Sequence, residues 1–161
     1  MIALLQRVSQ AQVEIGGEVA GAIGPGLMTL VCAERDDTEA DAAALLSRMI
    51  RYRVFSDEAG RMNRSLLDRQ AAEQSASLLL VPQFTLAADT SSGLRPGFSA
   101  GASPEQARVL FDAFVDVAKE QVGDVQTGRF GADMQVSLTN DGPVTFWLRH
   151  PRRATTGSQN G

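Results

Sequence analysis

The sequence is poor in the residues that most often bind metals. Its 161 residues include one cysteine, Cys32, and one histidine, His150. A single cysteine excludes an internal disulfide, and one cysteine with one histidine cannot build a zinc site of the His/Cys type. The carboxylates show no spacing typical of a calcium loop. We therefore expect no metal and no other cofactor.

The motifs of common nucleophilic and nucleotide-binding enzymes are also missing. The sequence contains no Walker loop and no G-x-G-x-x-G fingerprint, and its G-x-S-x-G string, "GFSAG", lies in a glycine- and serine-rich loop and does not directly follow a predicted strand, as a nucleophile elbow would. His150 stands too near the tail to anchor a Ser-His-Asp triad. An enzyme with this sequence would depend on positioned backbone groups, on a hydroxyl such as that of Thr85, or on a group supplied by the substrate.

Long apolar runs and an excess of basic residues are lacking too. No run approaches the ~20 residues of a membrane span, and the N-terminal residues lack a signal-peptide pattern. The net charge is −4, which argues against a protein that wraps a long nucleic acid. Arg48 and Arg51 share a face of a predicted helix and could contact phosphates locally, although a solvated face is the simpler interpretation. We expect a cytoplasmic protein without membrane or DNA partners.

What is present is enough apolar sequence, 43% of the residues, for one globular domain. We assign this domain to residues 1–150 and expect the polar tail, 151–161, to be disordered. Alternating and apolar runs predict strands through most of the chain. Two helices are predicted, one opening with a capping box at Thr38 and Asp41, the other with a capping box at Ser103 and Gln106. The fold class is mixed α/β (α+β), with largely antiparallel, partly barrel-like β-sheets and two packed helices.

Two prolines interrupt predicted strands. Pro82 ends or kinks the apolar run "ASLLLVPQFTL", so backbone amides after it are expected to leave the ladder and face a ligand. Cys32 lies in the apolar run "GLMTLVCAE" and is expected to be buried. Gly142 and Pro143 stand in "NDGPVTF", where ordinary turn chemistry and a functional role are both open on local sequence alone.

Five motifs in a fixed order carry a resemblance to a known family. They read "GRMNRSL", "PQFTLAADT", "RPGF", "TGRFGADM" and "NDGPVTF". Together they resemble the D-aminoacyl-tRNA deacylases, historically the D-tyrosyl-tRNA deacylases, and the match runs from Met1 to about Arg149. The resemblance implies a cytosolic, metal-free homodimer. Its implied reaction is hydrolysis of the ester between a D-amino acid, or glycine, and the 3′-terminal adenosine of tRNA.

The resemblance also implies the site residues. Catalysis is expected from Gln83, Phe84 and Thr85, whose backbone amides and hydroxyl would surround the scissile carbonyl. Pro82 departs from the serine usual in the family and removes a hydroxyl and an N–H donor. Substrate binding and rejection of L-amino acids fall on four consecutive residues, and support is expected from Arg7 and Met134. Those four residues are Gly142, Pro143, Val144 and Thr145, with a cis Gly-Pro bond that projects into the partner subunit's site.

Other functions remain open at this stage. The chain could be a non-catalytic module that binds the tRNA end, with Phe84 stacking on a base. It could also be a small-molecule ester hydrolase on the same fold. For Phe84 a core position is as plausible as stacking, and for Thr85 a plain strand hydroxyl is as plausible as a catalytic role.

Overall fold

The structure is a computed structural model that describes residues 1–150. Within these residues the chain forms eight strands, three α-helices and one short 3-10 helix. The strands are β1 Ile2–Ile15, β2 Glu18–Ile23, β3 Gly26–Cys32, β4 Phe55–Ser56, β5 Met62–Arg64, β6 Ser77–Pro82, β7 Val125–Thr127 and β8 Gln135–Arg149. The helices are α1 Glu39–Ile50, α2 Leu66–Ala71 and α3 Pro104–Gln121, and the 3-10 helix is Phe84–Ala87. The expected disordered tail lies outside the described residues.

One six-stranded sheet carries the fold. The long strand β1 pairs antiparallel with β3 and β2 along one edge and with β8 along the other. Strand β6 continues the sheet from β3 in parallel, and β7 pairs parallel with β6. Strands β4 and β5 form a separate hairpin. The sheet is therefore mixed, with its antiparallel part centred on β1.

The sheet curls until its two ends meet. Strand β2 lies against β6 and β7, although it is hydrogen-bonded to neither. At this seam a Cβ on Gly21 would stand 3.1 Å from the carbonyl oxygen of Thr127, so any larger residue would push the two strands apart by a few tenths of an ångström. The nearly closed, barrel-like sheet confirms the expected fold class.

Two helices cover one face of the sheet. Helices α1 and α3 pack on each other, and their apolar stripes bury Leu46, Met49 and Phe114 completely. Thr38 and Asp41 form the predicted capping box at the start of α1. At the start of α3 the prediction was half wrong. Ser103 accepts from the Gln106 amide, but the Gln106 side chain donates to loop carbonyls 69 and 71 residues away, a longer-range contact that outcompetes the local one.

The segment after α1 is more regular than the sequence pattern indicated. It forms strand β5 and the short helix α2, which was not among the two predicted helices. Ser65 and Asp68 make a complete capping box at the start of α2, which explains why a helix of only six residues begins there. Within residues 1–150, no helix is long and apolar enough to cross a membrane.

Candidate active site

The first half of the site forms where β6 ends. The Gln83 amide donates to the Val31 carbonyl at 2.8 Å, the last link of this chain segment to β3. The chain then turns into the 3-10 helix, whose first hydrogen bond runs from Leu86 to the Gln83 carbonyl. The amides of Phe84 and Thr85 precede that bond, so no carbonyl of the helix can accept from them. Two adjacent N–H groups at the start of this helix are thus without a helix acceptor.

The side chains here are open to solvent. Phe84 is 59% exposed and its ring lies 5.2 Å from that of Phe98, so its expected alternative as a core residue is wrong. The apolar residues of β6 that precede it are buried in the sheet. Phe84 itself follows the end of β6 at Pro82 and begins the 3-10 helix, where its ring faces solvent. Gln83 donates from its side-chain amide to the hydroxyl of Thr85, which is also exposed. Thr85 is therefore not a plain strand hydroxyl, because it lies in the 3-10 helix.

A cleft of about 490 Å³ opens beside this helix. Pro82, Gln83 and Phe84 form one wall, and the start of α3 with the loop before β8 forms the other. The lining is mostly apolar, and it includes Met134 and the ring of Phe130. Clefts of this size that combine apolar walls with a few polar groups are typical small-ligand sites.

The cleft includes Met134, a predicted site residue, and Phe130, which was not predicted. Met134 lies in the wall because Gly128 leaves room for it, since a Cβ at Gly128 would stand 2.8 Å from the Met134 sulfur. Phe130 was not singled out by sequence reasoning. Arg108 lies over its ring, 5.2 Å from the centroid. The only sequence signal was its place in the motif "TGRFGADM", which does not tell a wall residue from a core residue.

The second half of the site is a turn inside β8. Gln6 is paired with Thr145 and Val8 with Asn140, so the residues 141–144 stand opposite Arg7 alone. Gly142 has a φ of +131°, and the Gly142–Pro143 bond is cis, as the resemblance implied. Pro143 and Thr145 are exposed, whereas Val144 is buried. The turn thus projects from the sheet edge with its backbone outside the ladder.

Arg7 holds this turn from β1. Its Nε donates to the Asp141 carbonyl at 3.2 Å and forms an ion pair with the Asp141 carboxylate at 3.0 Å. Its Nη1 donates to the Val54 carbonyl at 2.6 Å, just before β4. One guanidinium therefore joins the sheet, the turn and the hairpin segment.

The two halves do not meet within one chain. None of the residues that line the cleft belongs to the turn. Strand β8 reaches the cleft with Val136 near its start, and the turn begins five residues later, roughly 17 Å along the strand at ~3.3 Å per residue. The structure brings together Gln83, Phe84 and Met134 at one place, and Arg7, Gly142 and Pro143 at another.

The titratable side chains behind the 3-10 helix are either buried or held in an ion pair. Cys32 is buried, its thiol lies 3.4 Å from the Phe84 carbonyl oxygen, and burial raises the pKa of this thiol to about 11. Nearby, a bidentate hydrogen-bonded pair with buried Glu34 raises the pKa of the Arg149 guanidinium. Among residues 1–150, no three His, Cys, Asp or Glu side chains are grouped to hold a metal ion.

The expected phosphate contacts of the first helix receive little support. Arg48 donates to the Arg149 carbonyl and lies over the ring of Tyr52. Arg51 donates back to Ser47 of its own helix. Both guanidinium groups are held within the chain, which favours the simpler interpretation of a structural, solvated helix face.

Comparison with known proteins identifies the family. A family model described as D-Tyr-tRNA(Tyr) deacylase matches residues 4–149. A protein of Burkholderia vietnamiensis named D-aminoacyl-tRNA deacylase is 59% identical over 149 residues, which cover 92% of this chain and 98% of the relative. The equally named protein of Burkholderia mallei is 60% identical over the same shares.

Two solved structures share the fold of this chain. A c-Myc DNA unwinding element binding protein, 36% identical, superposes with a TM-score of 0.86 over 94% of this chain and 99% of its own. A probable eukaryotic D-amino acid tRNA deacylase, 15% identical, shares the fold with a TM-score of 0.76 over 91% of this chain and 97% of its own. The chain therefore belongs to the D-Tyr-tRNA(Tyr) deacylase family, which confirms both the resemblance of its motifs and the expectation that it is an enzyme.

Proposed function

We propose that this protein hydrolyses the ester bond of D-aminoacyl-tRNA and releases the free D-amino acid and the tRNA. The observation that carries the proposal is that the first two amides of the 3-10 helix, those of Phe84 and Thr85, have no helix acceptor and stand beside an apolar cleft. Such donors suit the oxyanion that forms when water attacks an ester carbonyl. The names of the close relatives support the substrate class.

The cleft suits the terminal adenosine of tRNA. Its wall offers two exposed or half-buried aromatic rings, Phe84 and Phe130, on which a base can stack. The missing donor at Pro82 falls at the end of β6, one residue before the amide that bonds to Val31. The Phe84 and Thr85 amides are unaffected by that proline, so the family's departure at this position leaves two donors in place.

None of the described residues that line the cleft has a titratable side chain. His150, the only histidine, stands 3.8 Å from Asp41 at the start of α1. Burial keeps the Cys32 thiol protonated at neutral pH. We therefore assign assistance in the attack of water to the ribose 2′-hydroxyl of the substrate, with Gln83 and Thr85 orienting the reacting groups.

Rejection of L-aminoacyl esters falls to the turn at Gly142 and Pro143. One charged hydrogen bond, worth ~1.5–3 kcal/mol, gives only ~10–150-fold discrimination, which is too little against the cellular excess of L-aminoacyl-tRNA. Rigid carbonyls that accept from the α-ammonium can at the same time leave no room for an L side chain. A D side chain would point outward, so many D-amino acids, and glycine on a mischarged tRNA, are expected substrates.

A homodimer would bring the two halves together. The outer edge of β8 has no strand partner within residues 1–150, and it is 15 residues long. Trp147 and Val136 are exposed on it, 52% and 37% respectively. A long, exposed, partly apolar edge usually pairs with another chain. We assign this edge and its face to a second copy, whose cleft receives the turn.

The substrate class is tested by comparing three esters in single-turnover hydrolysis. The proposal predicts rapid release from D-tyrosyl-tRNA, slow release from D-tyrosine ethyl ester, and slow release from D-tyrosyl-tRNA that ends in 2′-deoxyadenosine. Equal rates for the free ester would favour a small-molecule esterase. Binding of the tRNA end without hydrolysis of any ester would favour a binding module, and full activity on the 2′-deoxy substrate would exclude the assigned role of the ribose.

A further inference from the structure

The residue before the turn has an unexplained set of contacts. Asn140 is half-buried, and its side-chain amide donates to the Arg7 carbonyl at 2.9 Å and to the Val144 carbonyl at 3.0 Å. Its side-chain oxygen accepts from the Thr145 hydroxyl at 3.4 Å. All three partners belong to the turn or to the strand directly opposite it. We propose that Asn140 is a positioning residue that fixes the turn and thereby sets the selectivity for D- over L-aminoacyl esters.

The ladder cannot hold this turn. Four residues of β8 stand opposite one residue of β1, so the regular pairing of the two strands is interrupted there. The Asn140 side chain spans the gap from inside. It links the start of the turn to its end at Val144 and to the backbone of β1 at Arg7.

Asn140 and Arg7 act on different parts of the turn. The Arg7 side chain holds Asp141, the first residue of the excursion, through its carbonyl and its carboxylate. Asn140 holds the last part, the Val144 carbonyl and the Thr145 hydroxyl, which Arg7 does not contact. Gln6 donates to the same hydroxyl from the neighbouring position on β1. The turn is therefore fixed at both ends, and at its exit the Asn140 side chain is the one that binds the Val144 carbonyl.

An asparagine fits this place better than its close relatives do. The two carbonyl acceptors need two N–H donors on one group, and the Thr145 hydroxyl needs an acceptor on the same side chain. An aspartate has the size and the acceptor but no donor, so its carboxylate would face the two carbonyl oxygens. A serine is too short to reach both.

Loss of the Asn140 contacts should change the selectivity for D- over L-aminoacyl esters more than the rate of D release. Under the proposed function, on which this inference rests, an L side chain is rejected because the turn does not yield. A D side chain points away from the turn, so hydrolysis of the D-aminoacyl ester depends less on the rigidity of the turn. Loss of the Asn140 contacts is therefore expected to raise L release by at least about tenfold, in line with the loss of one or two hydrogen bonds. D release should fall by less than that factor.

The test compares wild type, Asn140→Ala, Asn140→Asp and Thr139→Ala. Thr139 is the exposed neighbour on β8 and is paired with Gln10 of β1, outside the interruption opposite Arg7, so Thr139→Ala is the matched control. Single-turnover release of D- and L-tyrosine from tRNA gives the D:L ratio. Hydrogen exchange of the peptide that covers residues 141–146 gives the rigidity of the turn in each folded variant.

A D:L ratio that drops about tenfold or more in both Asn140 variants but not in Thr139→Ala supports the inference. An unchanged ratio, or equal losses of D and L release, would overturn it. Failure of the proposed function is a separate result, because wild type itself would then release neither amino acid. Hydrogen exchange still decides in that case, since the inference requires faster exchange at residues 141–146 in both Asn140 variants, and unchanged exchange would contradict it.

Discussion

At the scale of the residue, Gly142 has no room for a side chain. A Cβ there would stand 2.7 Å from a methyl group of Val144 and 3.1 Å from the Arg7 guanidinium, and the φ of +131° is unfavourable for any other residue. We predict that Gly142→Ala lowers D release by at least about tenfold, because a displacement of ~1 Å can cost ~100-fold in rate. Single-turnover release measures this.

The control for Gly142→Ala is Gly17→Ala. Gly17 also has a positive φ, +84°, but a Cβ there meets nothing within 4 Å. This variant should lose stability through backbone strain and keep its D release. If both variants lost activity to the same degree, strain alone and not the position of the turn would explain the effect.

Cys32 gives a second prediction at this scale. Burial raises the pKa of its thiol to about 11, so very little thiolate exists at pH 8. The folded protein should react with a thiol reagent far more slowly than the denatured protein, which should titrate one thiol. Because the folded pKa lies above the unfolded value, Cys32 also lowers stability as pH rises from about 9 to 11. Rapid labelling of the folded protein would contradict the buried placement.

At the scale of the element, the start of β3 depends on Gly26. A Cβ at Gly26 would overlap the backbone carbonyl of Ser77, the residue paired with it on β6. Gly26→Ala should therefore destabilise the fold by about 2–3 kcal/mol, because backbone atoms must separate. Gly24→Ala, two residues earlier, meets nothing within 4 Å and should change stability by less than ~0.5 kcal/mol. Chemical denaturation compares the two, and equal effects would refute the close approach.

The capping boxes of α1 and α2 give a prediction in acid. Hydrogen bonds from the backbone and hydroxyl of Ser65 lower the pKa of Asp68, and those from Thr38 lower the pKa of Asp41. Since both folded values lie below the unfolded ones, the stabilisation is present above about pH 4 and is lost as pH falls through the folded values. The double variant Asp41→Asn with Asp68→Asn should lose less stability than wild type between pH 5 and pH 3. Parallel denaturation curves at each pH would show this, and identical acid slopes would contradict it.

Elements with strong local signals were predictable from sequence, whereas contacts between distant segments were not. Thr38 and Asp41 start α1 as expected, and Pro82 ends β6. The capping box of Ser65 and Asp68 at the start of α2 has the same sequence pattern, but this helix was not among those predicted. By contrast, the Gln106 side chain bonds to distant carbonyls, and the turn of β8 is defined by a strand more than 130 residues earlier. Local patterns carry no information on such partners.

The same distinction between local signals and distant contacts applies to the residues of the site. The apolar run before Phe84 indicated a core residue as readily as an exposed one, and only the direction of the 3-10 helix decides between them. Asn140 looked like ordinary turn chemistry, because its three partners become neighbours only when β8 pairs with β1. The motifs located both halves of the site, but they could not show that one chain keeps them apart.

At the scale of the whole molecule, the separation of cleft and turn leads to a complementation test. Phe84→Ala damages a cleft and Gly142→Ala damages a turn, and each variant alone should release D-tyrosine poorly. If the turn of one copy completes the cleft of the other, a mixed dimer contains one site with neither substitution. Co-refolded variants should then recover a substantial part of the wild-type rate. No recovery in a verified mixed dimer would place both halves in one chain.

The central claim is that the molecule hydrolyses D-aminoacyl esters of tRNA and excludes the L forms. The most direct measurement is single-turnover release of D-tyrosine and L-tyrosine from the same tRNA by the wild-type protein. We expect rapid D release, and L release no faster than spontaneous hydrolysis. Comparable rates for the two would contradict it, because a rigid turn at Gly142 and Pro143 that excludes an L side chain could not then be part of the working site.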